Sequence, residues 1–323
     1  MIFKVIGQFL LATSVLQMMP VDAAYFEWQA GVTDNMEVGD LYATEVPGFF
    51  ATLPQADSRF DYPTKIDTDS YGIVTTAQSA IVIDRDTDVV LFQKHPDAVR
   101  SIGSVTKLMS ALVFLEQSPD LSQTVTLNPE QDYIAGGRVY LGYFNGVALR
   151  DVLAASLIGS DNTATQSLVR FSGLALDDFV ARMNLKAEEL EMGSTVFVDP
   201  TGISADNMST ARDLVKLLEE AEKSETIKYY TELPSVIIGQ ESSRTIEIEN
   251  TNSLLTSFLN EGDFDVVGGK TGYLPQAGYV LATTVEENNH AVHVVVLGAE
   301  SKDARISEAK GLVYWAFKTF EWK

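Results

Sequence analysis

Ser79-Ala80-Ile81-Val82-Ile83 and Val89-Val90-Leu91-Phe92-Gln93 are two runs rich in β-branched residues, separated by Asp84-Arg85-Asp86-Thr87-Asp88. A polar turn between two such runs predicts a β-hairpin. The same signal returns towards the far end of the chain, in Asp265–Gly269, Gly278–Thr284 and Ala291–Leu297. Helical patterns fill the interval, at Gly103–Gln117, Leu149–Ile158, Asn162–Phe171, Asp177–Leu190 and Thr210–Glu222, and a last one spans Ala304–Phe320. Strands at both ends with helices between predict an α+β fold. We expect one five-stranded, mostly antiparallel sheet built from both chain ends and packed against a mostly helical lobe. The junction of two such lobes is a common place for a cleft.

Local signals refine this reading. Val105, Leu108, Met109, Ala111, Leu112, Val113, Phe114 and Leu115 leave little polar face on their helix, which predicts a buried one, with Ser101 as its candidate cap. Thr210-x-x-Asp213 resembles a capping box. Tyr314, Trp315, Phe317, Phe320 and Trp322 have helical spacing and read as core packing. There is no internal repeat.

Upstream of the hairpin the chain changes character. Met1–Lys4 carries one positive charge, Val5–Met19 is mostly apolar, Pro20 ends the run, and Asp22-Ala23-Ala24 offers small residues for cleavage. This is the pattern of a secretory signal. Residues 1–24 are therefore expected to be a signal peptide and the protein to be exported, to the periplasm or envelope exterior of a bacterium. Membrane association follows only if that leader is retained. Residues 25–70 contain Pro47, Pro54 and Pro63 and show no sustained period, so they read as an N-terminal arm or linker. Residues 71–323 are expected to form the catalytic domain.

Composition narrows the chemistry. The 323 residues include 23 Lys+Arg against 45 Asp+Glu, for a net charge of −22. Nucleic-acid partners need a basic face, so they are not expected. The absence of cysteine excludes disulfides, thiolate metal sites and thiol nucleophiles. His95, His290 and His293 are too scattered for the usual zinc spacings, and no metal or cofactor is expected. His95 reads as a loop residue, His290 as a turn and His293 as an edge position. Catalysis would fall to Ser, Lys, Asp, Glu, Tyr or backbone groups.

Three short motifs offer such groups. Ser104-Val105-Thr106-Lys107 puts a hydroxyl and an amine one helical turn apart. A serine hydroxyl needs a base to become a nucleophile, and a neutral lysine can serve. Free lysine has a pKa near 10.4, so a base working near neutrality needs a fall of about three units. Burial and a nearby cation, with Lys270 the candidate, both push that way. Spacing alone decides nothing: Ser307-Glu308-Ala309-Lys310 repeats it on the last helix, where it reads as a solvated face. Ser160-Asp161-Asn162 lies between two helical runs and reads either as a helix cap or as a loop that supplies a hydroxyl and an amide to a cleft. Lys270-Thr271-Gly272 follows Gly268 and Gly269 at the end of an apolar strand. It reads either as a strand end with a glycine turn or as a carboxylate-receiving edge along which a peptide can lie.

In order and separation the three motifs match the Ser-x-x-Lys, Ser-Asp-Asn, Lys-Thr-Gly set of penicillin-interacting serine enzymes. The chain resembles a serine-type D-alanyl-D-alanine carboxypeptidase or endopeptidase of the low-molecular-mass penicillin-binding protein kind, over most of Ser79–Phe320. Phe197-Val198-Asp199-Pro200-Thr201-Gly202, Asn250-Thr251-Asn252-Ser253 and Gly272-Tyr273 add to the likeness. It departs at Asp88, where the family usually has glycine, at Ile102-Gly103, and in lacking the C-terminal β-domain that many members carry. That last departure leaves carboxypeptidase and endopeptidase action both open.

The resemblance implies an acyl-enzyme on Ser104, with Lys107 as base, Ser160 as proton relay and Asn162 holding substrate backbone. It implies that Lys270 and Thr271, beside Gly272, receive the substrate carboxylate and that backbone N–H groups of Ser104 and Tyr273 form the oxyanion hole. The implied partners are peptidoglycan stem peptides, with β-lactam antibiotics as acylating inhibitors. One alternative is a class A-like β-lactamase, whose deacylating Glu has no counterpart in Thr195–Gly202. Another is a non-catalytic wall-fragment-binding module, against which the intact Ser104, Lys107, Ser160 and Lys270 count.

Overall fold

The computed structural model of the chain describes residues 61–137, 139–141, 146–239 and 245–323. The expected signal peptide and residues 25–60 of the expected arm lie outside the described residues. The last part of that arm is described: Pro63–Lys65 pairs antiparallel with Phe320–Trp322, next to the chain's end.

Five strands form the central sheet: β1 Ser79–Asp84, β2 Val90–Lys94, β3 Phe264–Leu274, β4 Gly278–Glu287 and β5 His290–Ala299. Their order is β3-β4-β5-β1-β2, antiparallel throughout. The expected sheet from both chain ends is therefore present. The turn between β1 and β2 is closed by Asp88 at φ 58, a left-handed position that Asp tolerates better than most residues.

Every residue of β1 is buried, because both faces of the sheet are covered. Strand alternation divides its side chains. Ile81 and Ile83 join the core shared with the helical lobe. Ala80 and Val82 join a second core under the C-terminal helix. The helices of eight residues or more are α1 Thr106–Glu116, α2 Leu149–Leu157, α3 Asn162–Phe171, α4 Leu176–Glu189, α5 Ala211–Lys223, α6 Glu225–Glu232 and α7 Lys302–Thr319. The apolar α1 is buried along nearly its whole length, as its composition requires. Thr210 caps α5 by accepting from Asp213 N. No helix among the described residues is long and apolar enough to cross a membrane.

Three expectations need correction. Ser101 does not cap α1: it pairs as a short strand with Met208, and a 3-10 turn over Gly103–Val105 leads into the helix with no side-chain cap. Strand β3 does not stop at Gly269 but runs through Lys270-Thr271-Gly272 to Leu274. Its pairing with β4 shifts register between Val266 and Gly268, so Val267 is the bulged residue, and Gly268 and Gly269 stay paired with Thr284 and Thr283 inside the strand. His293 is not at an edge: β5 lies between β4 and β1, and the ring is fully buried. Burial pushes its pKa down to about 3, so it is neutral, with Nδ1 2.7 Å from Thr284 Oγ1.

Candidate active site

Ser104 sits where three stretches of backbone converge. Gly103 turns the chain into α1 at φ 52. A Cβ placed on Gly202 would lie 2.1 Å from Gly103 O, and one on Gly272 would lie 2.6 Å from Ile102 O and 3.0 Å from Ser104 N. A Cβ on Gly103 would lie 3.2 Å from Tyr273 N. Glycine at these positions lets β3 and the Thr201–Gly202 loop close on the Ser104 amide. The result sets the Ser104 and Tyr273 amides on facing segments.

Lys107, one turn into the helix, is fully buried. Its Nζ lies 3.1 Å from Ser104 Oγ, donates to Asn162 Oδ1 at 2.7 Å, and donates to the Thr201 carbonyl. Burial pushes its pKa down from 10.5 to about 7, against the opposing pull of the Asp199 and Asp161 carboxylates. A neutral amine has two N–H donors and one lone pair. Asn162 Oδ1 and Thr201 O take the two donors, which leaves the lone pair for the Ser104 hydroxyl.

The second motif serves both of its readings. Asp161 caps α3 by accepting from Ala164 N at 3.0 Å. Asn162, the first residue of the helix, holds Lys107 with Oδ1 and donates from Nδ2 to Gly136 O at 2.8 Å. Ser160 takes a left-handed φ of 60 and faces the same cavity as Ser104. That cavity measures about 770 Å³, and its lining includes Asn162, Thr271, Gly272 and Tyr273.

Lys270 stands behind this lining, 1% exposed, and donates to Thr271 O at 3.2 Å. Its pKa falls well below the usual lysine value through burial first, then repulsion from Lys107 and Arg305. Burial is the largest influence on Lys107, opposed by the Asp199 and Asp161 carboxylates. Lys107 and Lys270 repel each other as cations, which favours a neutral amine in the pair. Thr271 Oγ1 donates to Thr251 Oγ1 at 2.7 Å, which ties β3 to the Asn250–Ser253 wall of the cavity.

Arg305 projects from α7 into the cavity lining yet is only 4% exposed. Its Nη1 donates weakly to Gly272 O at 3.4 Å and Val280 O at 3.3 Å, and its Nε has no partner among the described residues. Burial pushes its pKa down to about 10. A buried cation with a spare donor suits an anion in the cavity. An arginine early in an amphipathic helix carries no sequence mark of this.

The segment Thr195–Gly202 supplies one acid, Asp199. Its carboxylate accepts from the N–H groups of Thr201 at 2.7 Å, Gly202 at 2.8 Å and Ser204 at 2.9 Å. It is spent on shaping the loop whose carbonyl holds Lys107. The decoy tetrad stays a decoy: Ser307 is exposed, and Lys310 lies over the Phe258 ring at 5.7 Å.

Comparison with known proteins bears on this arrangement. A family profile described as D-alanyl-D-alanine carboxypeptidase matches residues 67–301. A D-alanyl-D-alanine endopeptidase of Pseudomonas aeruginosa is 33% identical over 241 residues, covering 73% of this chain and 76% of that protein. A solved structure of a variant Streptomyces DD-transpeptidase superposes with a TM-score of 0.67 at 28% identity, over 76% of this chain and 99% of that one. A penicillin-binding protein of Listeria monocytogenes in its cefotaxime-bound form gives 0.67 at 27% identity, over 77% and 100%.

Proposed function

Because this chain belongs to the D-alanyl-D-alanine carboxypeptidase family, we propose that Ser104 is its acylated nucleophile, acting on D-alanyl bonds in peptidoglycan stem peptides. The protein is a serine-type, penicillin-binding DD-peptidase. The observation that carries the assignment is the Lys107 Nζ at 3.1 Å from Ser104 Oγ, with the amine's donors already engaged by Asn162 and Thr201.

Ser104 Oγ attacks the carbonyl carbon between the two D-alanines while Lys107 Nζ takes the hydroxyl proton. The oxyanion faces the Ser104 and Tyr273 amides, each donor worth roughly 3–4 kcal/mol. Collapse breaks the C–N bond, and Ser160 relays a proton to the departing amine. Water then attacks the acyl-enzyme and returns Ser104. Thr271 and Arg305 hold the substrate carboxylate, with Lys270 adding positive potential from behind the strand. A β-lactam enters the same cycle and leaves a lasting adduct on Ser104. The protein is exported, and cross-link cleavage is the finer activity we favour, since the Pseudomonas relative bears the endopeptidase name. Digestion of defined muropeptides tests this: cross-linked dimers fall to monomers in an endopeptidase, whereas loss of terminal D-alanine alone marks a carboxypeptidase.

Two further outcomes follow. With Lys107 poised at about 7, the penicillin acylation rate rises about tenfold per pH unit below that value and levels off above it. A flat profile from about pH 5 to 9, measured by timed quench and intact mass, contradicts the base assignment. Arg305→Gln lowers kcat/KM on peptides with a free terminal carboxylate by about 30–100-fold. The same peptide with an amidated terminus changes little, and equal losses on both mean that Arg305 is structural.

A further inference from the structure

The cavity that holds Ser104 has two walls of opposite charge. Helix α7 contributes Lys302 and Arg305, and the hairpin Ser235–Ile238/Ile246–Glu249 contributes Glu247 and Glu249. Strand alternation explains the second wall. Ile248 is fully buried and packs so closely on Gly159 that a Cβ there would lie 2.8 Å from its Cγ2. Its neighbours Glu247 and Glu249 are thereby turned outward, both exposed and both lining the cavity. Two residues apart on one strand face, their backbones lie roughly 7 Å from each other. Ser235 Oγ donates to Glu247 Oε1 at 2.8 Å and so fixes one of the two carboxylates.

Among the described residues no lysine, arginine or histidine pairs with either glutamate. The Arg305 Nε is likewise without a partner, though its side chain is almost wholly buried at this cavity. A buried cation with a spare Nε donor and two carboxylates with no cationic partner in one cavity call for a ligand bearing both charges.

We propose that Glu247 and Glu249 bind an ammonium group of the peptide while Arg305 holds its carboxylate, so that the enzyme selects stem peptides whose diamino acid keeps a free side-chain amine. This rests on the DD-peptidase reading and adds the charge pattern of its substrate. The glutamates set specificity and take no part in bond breaking.

The test uses two synthetic stem peptides, each offered both as the pentapeptide ending in D-alanyl-D-alanine and as the cross-linked dimer, alike except that one has the donor stem's side-chain amine acetylated. Wild-type kcat/KM is expected to favour the free amine about tenfold at low salt, and the ratio to shrink in about 0.5 M salt. In the Glu247→Gln/Glu249→Gln variant the ratio falls towards one. A wild-type ratio of one, or a variant that keeps the wild-type ratio, overturns the proposal. Penicillin labelling of the variant reports whether it is folded. Should it fail to label, Glu249→Gln alone and the wild-type salt dependence decide, and a ratio that neither moves refutes the idea. Failure of the underlying reading looks different: neither peptide is cleaved in either form, and wild-type protein takes no penicillin.

Discussion

Lys107→Ala is expected to slow penicillin acylation by about 10³–10⁴-fold while leaving a folded protein. The loss has the size of a removed general base, because no other described group lies so placed on Ser104 Oγ. The fold survives because two opposing effects nearly cancel. Depressing the amine from 10.5 to about 7 costs about 5 kcal/mol at neutral pH and below. The sign follows from proton uptake. Between about 7 and 10.5 the unfolded chain binds this proton and the folded one does not, so the lysine's stability contribution is full above 10.5 and is lost as pH falls to about 7. Substitution removes that cost at neutral pH. In exchange it leaves a small cavity and strands Asn162 Oδ1 and Thr201 O, at about 1–3 kcal/mol each. Circular dichroism and a melting curve check the fold, and intact mass over time checks acylation. A folded variant that labels at the wild-type rate removes Lys107 from the mechanism.

Gly202→Ala attacks the same centre from the backbone side. The residue has φ +78, and its new Cβ would sit 2.1 Å from Gly103 O, where no side chain can yield. Left-handed strain costs about 1–3 kcal/mol, and forcing the two backbones apart costs a similar amount. For a domain of this size a total of about 3 kcal/mol lowers Tm by roughly 6–12 °C. The displacement falls on the residue before Ser104 and on the loop whose Thr201 carbonyl holds Lys107. A misplacement of about 1 Å costs on the order of 10²-fold in rate, so acylation drops even at temperatures where the variant stays folded. Wild-type Tm and labelling together would mean that the close approach is not needed.

The sheet was legible because its strands are long and β-branched, and α1 because it has almost no polar face. What escaped was short or locally ambiguous. The Ile246–Glu249 strand alternates as a strand should, but four residues carry too little signal. Helix α6 begins at Glu225, directly after Ser224, which ends α5 and caps α6, so no loop announces it. Gly268 and Gly269 read as a stop in β3, whereas at φ +123 and +138 they follow a bulge at Val267 and stay paired with Thr284 and Thr283. At the site, the motif residues were visible because several hydroxyls, amides and amines share one spacing pattern. Arg305 and the two hairpin glutamates have no such pattern. They reach the cavity through the way α7 and the hairpin pack, which a linear reading does not contain.

Incubation with penicillin, proteolysis and mapping of the acylated peptide by mass spectrometry goes straight to the nucleophile. One equivalent of adduct on Ser104 is the expected result. A folded protein that stays unmodified, or one acylated at Ser160 or Ser307 instead, would contradict the Ser104–Lys107 assignment.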